Sequence, residues 1–123
     1  MRPSAVELFA LYHLGLDREG RYRFRNLSDC ARIYGVEGAT VLRWLQADGA
    51  DPDTVSHVDF NLTRWHVDAQ FVQAEDAPTL IAKAWNGYCE ALARRDPSRV
   101  FHDVDYDDIW GDGAKPGDDS DPR

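Results

Sequence analysis

Apolar side chains recur at helical spacing in separate stretches of the chain, which predicts a mostly α-helical protein. The clearest stretches run over about residues 5–14, 62–72 and 78–95. Ser4 followed by Glu7 has the spacing of a capping box, so the first helix is expected to begin at residue 5. The pattern as a whole predicts a small domain of about five helices.

Polar and glycine-containing segments separate these helices. Residues 17–20 have the composition of a turn. Residues 21–25 then alternate arginines with aromatic rings at a period of two, which favours a short extended segment or arm with its aromatic side chains inward and its arginines outward. Turn formers over residues 48–53 precede a short helix that is expected to start at Asp53 or Thr54.

The end of the chain has a different character. Residues 103–123 hold eight aspartates against Lys115 and Arg123. A segment of this kind buries too little apolar surface to offset its chain entropy. We therefore predict a helical domain over residues 1–102 and an acidic tail over 103–123, disordered over 111–123. Residues 100–110 interleave apolar side chains with acids, which is typical of a strip that docks on the protein's own core or on a partner.

The charge distribution limits which partners are plausible. The 123 residues carry a net charge of −8, yet residues 1–47 hold seven arginines against five acids. A surface that binds nucleic acid usually has a basic excess, so only this first third is suited to that role. No stretch approaches the roughly 18 apolar residues of a membrane span, and the first residues lack a secretory signal, which favours a cytoplasmic protein. Cys30 and Cys89 are expected to be buried thiols.

Residues 27–46 contain the pattern that points most directly to a function. A helix through Tyr34 and a second helix from about Glu37 to Ala47 flank Gly35, which tolerates the positive φ that a tight turn requires. Ala31 is small enough for two helix backbones to approach each other. The positions expected to face inward are Cys30, Tyr34, Val36, Val41 and Trp44.

This segment resembles the helix-turn-helix of bacterial DNA-binding proteins, and Thr40, Val41 and Trp44 match the ending of its second helix. The resemblance implies a DNA-binding regulator whose second helix enters the major groove of double-stranded DNA. It implies phosphate contacts from Arg23, Arg25 and Arg32, and base contacts from Ala39, Thr40, Arg43 and Gln46. Regulators of this kind are commonly two-fold dimers, and the helix over 78–95 is a candidate homodimer surface.

An adaptor that binds another protein is the alternative interpretation. Glu37 has the wrong sign for a phosphate neighbour, and Leu42 is apolar at an outward position of the second helix. The same shape is therefore suited to a protein partner, bound through Leu42 or through Tyr106, Ile109 and Trp110 in the acidic strip. Under the DNA-binding interpretation, the acidic tail competes for the basic surface, so deleting residues 103–123 is expected to tighten binding at low salt.

The remaining chemistry of the sequence is sparse. The histidines have no zinc-like spacing, although His57, Asp59 and His66 would approach one another if that segment folds back. Asp103, Asp105 and Asp107 imitate the start of a calcium loop that lacks its glycine and its final glutamate. Neither a phosphate-binding loop nor a nucleophile with a base at recognisable spacing is present. The sequence thus predicts no enzyme activity, no metal and no cofactor, and it places Trp44, Trp65 and Trp85 in the core.

Overall fold

The fold is mostly α-helical, as predicted, in a computed structural model that describes residues 2–95. Six α-helices are present in this range, and the only strand-like pairing there is an isolated antiparallel bridge between Leu16 and Tyr22. The helices are α1 (Ala5–Phe9, continued by a π-helical segment Ala10–Leu14), α2 (Leu27–Tyr34), α3 (Gly38–Asp48), α4 (Pro52–Ser56), α5 (Leu62–Phe71) and α6 (Ala77–Arg95, preceded by a 3₁₀ turn Ala74–Asp76). The predictions for the acidic tail, including Tyr106, Ile109 and Trp110, lie outside the described residues.

Side-chain caps explain where several helices begin. Ser4 Oγ accepts a hydrogen bond from the Glu7 backbone N–H at 3.2 Å, which confirms the predicted start of α1. Asn61 starts α5 in the same way, by accepting from the Arg64 N–H at 3.1 Å. The predicted start of α4, Asp53 or Thr54, was one or two residues late, because Asp51 caps the Thr54 N–H and Pro52 occupies the first helical position, where its fixed φ is favourable.

A cluster of aromatic rings forms the centre of the core. Phe9 is fully buried and its ring centroid lies 5.1 Å from Trp85 and 5.6 Å from Tyr88, which places α6 directly against α1. Tyr88 Oη also donates a hydrogen bond of 2.6 Å to the Gly49 carbonyl at the end of α3. The apolar face of α6 is therefore used inside the monomer, and a homodimer through the exposed side of this helix stays a prediction.

Cysteines and tryptophans follow the sequence prediction closely. Cys30 and Cys89 are both buried and unbridged, and burial raises the pKa of the Cys30 thiol to about 11. Trp85 is buried, whereas Trp44 and Trp65 are half-buried at the edge of the core. Within residues 2–95 no helix combines the length and the apolar character that a bilayer crossing requires.

The segment between α1 and α2 departs from its predicted alternation. Phe24 is 68% exposed, although it was expected to face inward. The Arg25 side chain, expected to face outward, is 10% exposed, donates to the Gly15 carbonyl at 2.9 Å and pairs with Asp17 at 3.5 Å. A single bridge, between Leu16 and Tyr22, pairs this segment with the chain before it, so no β-ladder forces its side chains to alternate. The Arg25 guanidinium instead donates to the Gly15 carbonyl and pairs with the Asp17 carboxylate in the preceding turn.

Candidate nucleic-acid interface

The turn between α2 and α3 has the positive φ at Gly35 that the sequence predicted. Gly35 ends α2 with φ +68°, in the left-handed region that favours glycine. Residues 35–37 complete the connection, and the Val36 N–H donates to the Ala31 carbonyl at 3.0 Å. Across the two helices, the rings of Tyr34 and Trp44 meet edge to face with centroids 6.0 Å apart. α2 and α3 therefore pack directly against each other through a short and well-defined turn.

Opposite faces of α3 have different surroundings. Val41 and Leu45 are fully buried, while Ala39, Arg43 and Gln46 are exposed. Thr40 and Leu42 are half-buried at the border between the two faces. The predicted inward position Cys30 on α2 is also fully buried. This helix thus presents a narrow outward face, and Leu42 is less accessible than the adaptor interpretation assumed.

Arg43 is the cation on that outward face. Its Nη2 donates a hydrogen bond of 3.1 Å to the Thr40 hydroxyl, and no described carboxylate lies within ion-pair distance of it. The other guanidinium N–H groups remain available for an acceptor on a ligand. Gln46 follows Arg43 by three residues, so both side chains project from the same side of the helix.

A second group of cations lies on the arm and α2. Arg23 and Arg32 line a shallow cleft of about 360 Å³ together with Asp29 and Ile33. Arg32 Nη1 donates to Asp29 Oδ1 at 3.2 Å, whereas Arg23 has no ion pair among the described residues. The pKa of Asp29 lies below its ordinary value, first because the Asn26 N–H binds the carboxylate and second because Arg32 does.

Arg25 does not belong with these exposed cations. It lines the same cleft, but its side chain is only 10% exposed and its guanidinium contacts Gly15 and Asp17, so it offers much less accessible surface than Arg23 or Arg32. Two exposed apolar side chains, Phe24 and Ile33, take the prominent surface positions instead. A helical projection of α2 places Ile33 on the side opposite the buried Ala31, two residues earlier, and this offset was the available sequence signal for its exposure.

A buried carboxylate ties α2 to α1. Glu7 Oε2 accepts from Tyr34 Oη at 3.0 Å and from Arg18 Nε at 3.2 Å, while Glu7 Oε1 accepts from Arg18 Nη2 at 3.0 Å. Burial, followed by the charge of Glu7, raises the pKa of Tyr34 above its ordinary value, so the phenol stays protonated and donates. The sequence indicated Glu7 only as a capping residue, and its role in positioning α2 was missed.

Removal of the Tyr34 hydroxyl tests this contact. The Tyr34→Phe variant should lose about 2 kcal/mol of unfolding free energy, because a buried carboxylate then lacks one of its donors. The measurement is urea denaturation followed by circular dichroism. Tyr12→Phe is the matched control, since Tyr12 is also half-buried but its hydroxyl has no hydrogen bond among the described residues. Equal losses in both variants would contradict a specific role for the Glu7 contact.

The arm is anchored by a chain of histidine contacts. His66 Nδ1 donates to the His13 carbonyl at 2.9 Å, which leaves His66 Nε2 to accept from Tyr22 Oη at 2.6 Å. His57 lies elsewhere, beside Asp53 and Ser56, so the suggested approach of His57 and His66 is wrong. No group of three metal-ligating side chains exists among residues 2–95.

Comparison with known proteins identifies no relative of this chain, so a functional assignment depends on the geometry described above. No protein-family model, no curated protein and no solved structure matches the chain.

Proposed function

We propose that this protein binds double-stranded DNA as a regulator or accessory factor, with α3 in the major groove. The observation that carries the proposal is the outward face of α3, where Ala39, Arg43 and Gln46 are exposed directly after the Gly35 turn. A major groove about 12 Å wide admits one α-helix, and a helix that is buried on one side and exposed on the other can enter it without unfolding the domain.

The three outward side chains have complementary chemistry toward base edges. Arg43 offers paired N–H donors to the O6 and N7 atoms of guanine, or to a phosphate. Gln46 both donates and accepts, as adenine N6 and N7 require. Ala39 is small and apolar, which suits contact with a thymine methyl group, while the half-buried Thr40 positions Arg43 through its hydroxyl.

Arg23 and Arg32 supply the proposed phosphate contacts. Both side chains are exposed, and Arg23 has no ion pair with a described carboxylate. Glu37 is exposed just before α3 and opposes phosphate binding there. With few cations available, we expect modest affinity and a shallow dependence on salt, since the slope follows the number of neutralised phosphates.

Fluorescence anisotropy with a labelled random-sequence duplex, titrated at several salt concentrations, tests the proposal. Arg43→Ala should weaken binding about 10-fold and reduce the slope of log affinity against log salt by about one phosphate contact. Arg64→Ala is the matched control, because Arg64 is equally classed as exposed but lies on α5. Absence of binding by the native protein at low salt, or equal effects of the two substitutions, would contradict DNA binding through α3.

An adaptor function is the second candidate, and the exposure of Ile33 favours it. Ile33 is 54% exposed on α2 between the cations of the Arg23 and Arg32 cleft. A protein partner that covers Ile33 would gain free energy by burying its apolar side chain inside a charged rim. Under this alternative Ile33→Asp abolishes partner binding, whereas Arg43→Ala leaves it intact.

A further inference from the structure

An apolar concavity of the described residues lies between the arm and α4, and we call it the arm–α4 groove. It has a volume of about 510 Å³, and its apolar lining comes mainly from Phe24, Pro52, Val55, Val58 and Leu62. Phe24 belongs to this lining and is nevertheless the more exposed of its aromatic rings, at 68%. Volumes of this size accept large side chains, and an apolar surface of this kind gains free energy when it is covered.

The end of α6 lies beside this groove. Arg95 Nη1 donates a hydrogen bond of 2.6 Å to the carbonyl of His57, and the two neighbours of His57, Ser56 and Val58, both line the groove. The chain beyond Arg95 therefore starts close to it. Val100 is the fifth residue after Arg95, and five residues reach at most about 18 Å, so this tether allows residues 100–110 to reach the groove.

Two cations lie on the arm close to the groove but outside its lining. Arg23 directly precedes the groove residue Phe24 and Arg21 lies two residues earlier; both are exposed, and neither has an ion pair among the described residues. Residues 100–110 carry Asp103, Asp105, Asp107 and Asp108 between their apolar positions. A tether this short also gives an effective concentration in the millimolar range, so a weak intrinsic affinity is sufficient for docking.

We propose that residues 100–110 of the same chain occupy the arm–α4 groove, with the apolar side chains of Tyr106, Ile109 and Trp110 covering Phe24 and the aspartates facing Arg21 and Arg23. The groove is then an intramolecular docking site. This inference does not depend on DNA binding, and its test contains no DNA.

Paramagnetic relaxation in the full-length chain measures this contact. A nitroxide is attached to Gly113→Cys, just after the strip, and labelling of one site per chain is verified by mass, since Cys30 and Cys89 are buried. The amide signals of Phe24, Val55 and Thr63 should lose at least half of their intensity relative to the reduced nitroxide. They should also be attenuated more than the average amide of residues 2–95.

Matched substitutions locate the contact. Phe24→Ser should remove most of the attenuation, whereas Phe71→Ser should not, because Phe71 is 77% exposed and lies outside the groove. The double change Ile109→Ser and Trp110→Ser should also remove the attenuation without touching the described core.

Three results would overturn the inference. Groove amides unaffected by the nitroxide would mean that residues 100–110 leave the groove to a separate partner. Attenuation that persists in Phe24→Ser would place the strip elsewhere on the protein. Attenuation in a mixture of isotope-labelled native chain and unlabelled spin-labelled chain would assign the groove to a second copy.

Discussion

The Gly20→Ala variant should lose about 2 to 5 kcal/mol of unfolding free energy, a large part of the 5 to 15 kcal/mol that stabilises a typical domain. Gly20 has φ +77°, and a left-handed backbone costs an alanine about 1 to 2 kcal/mol. A Cβ at this position would also lie 2.6 Å from the carbonyl oxygen and 3.0 Å from the Cα of Ala74. Backbone atoms cannot rotate away, so the turn before α6 must shift, which adds about 1 to 3 kcal/mol.

Gly35→Ala separates these two contributions. Gly35 has a similar φ of +68°, yet a Cβ there would meet no atom within 4 Å. We therefore expect a loss of about 1 to 2 kcal/mol from backbone strain alone. Urea denaturation of the native protein and both variants measures the difference. If Gly35→Ala is as damaging as Gly20→Ala, the close approach of Gly20 to Ala74 has no energetic role.

Local signals in the sequence were sufficient for most of the helical framework. The start of α1 and the Gly35 turn depend on a cap and a glycine within a few residues, and these features acted as predicted. The late prediction for α4 has the same local origin, since two aspartates, Asp51 and Asp53, flank Pro52 and only the first one caps the helix. The short range of capping interactions explains this success.

Long-range contacts account for what the sequence did not reveal. Arg25 turns inward because the Gly15 carbonyl and Asp17 are folded beneath it, and Glu7 is bound by Tyr34 from a helix 27 residues away. Neither contact produces a periodic pattern of residues in the sequence. Tertiary packing therefore makes Arg25 largely inaccessible at the candidate interface and leaves Phe24 exposed beside it. Assignments that followed helical periodicity, such as the buried Val41 and the exposed Arg43, held.

Acidification from pH 6.5 to pH 4 should lower the free energy of unfolding by about 3 kcal/mol through one side chain, His13. The ring is 6% exposed, and its Nε2 donates a hydrogen bond of 2.7 Å to the Ala50 carbonyl. Burial lowers the pKa of His13 to about 4, despite opposing contributions from the Ala50 hydrogen bond and the charge of Asp51. The neutral imidazole is therefore the form that the folded protein contains near neutral pH.

The sign follows from proton binding in the two states. In the unfolded chain His13 has an ordinary pKa of about 6.5, so between pH 6.5 and pH 4 the unfolded state binds a proton that the folded state excludes. Stability therefore falls as the pH falls through this window, by about 1.4 kcal/mol per pH unit, and is unaffected by His13 above it. A difference of about 2.5 pH units in pKa gives the total of about 3 kcal/mol.

Urea denaturation of native protein and His13→Gln at pH 7.5 and pH 4.5 isolates this contribution, because the carboxylates titrate similarly in both. The variant should be less stable at pH 7.5 but should lose less stability on acidification, so the two curves converge. His57→Gln is the matched control for removal of an imidazole, because His57 is exposed at the end of α4 and lies outside the core. Parallel curves for the native protein and His13→Gln would show that His13 titrates with an ordinary pKa and is not excluded from protonation in the fold.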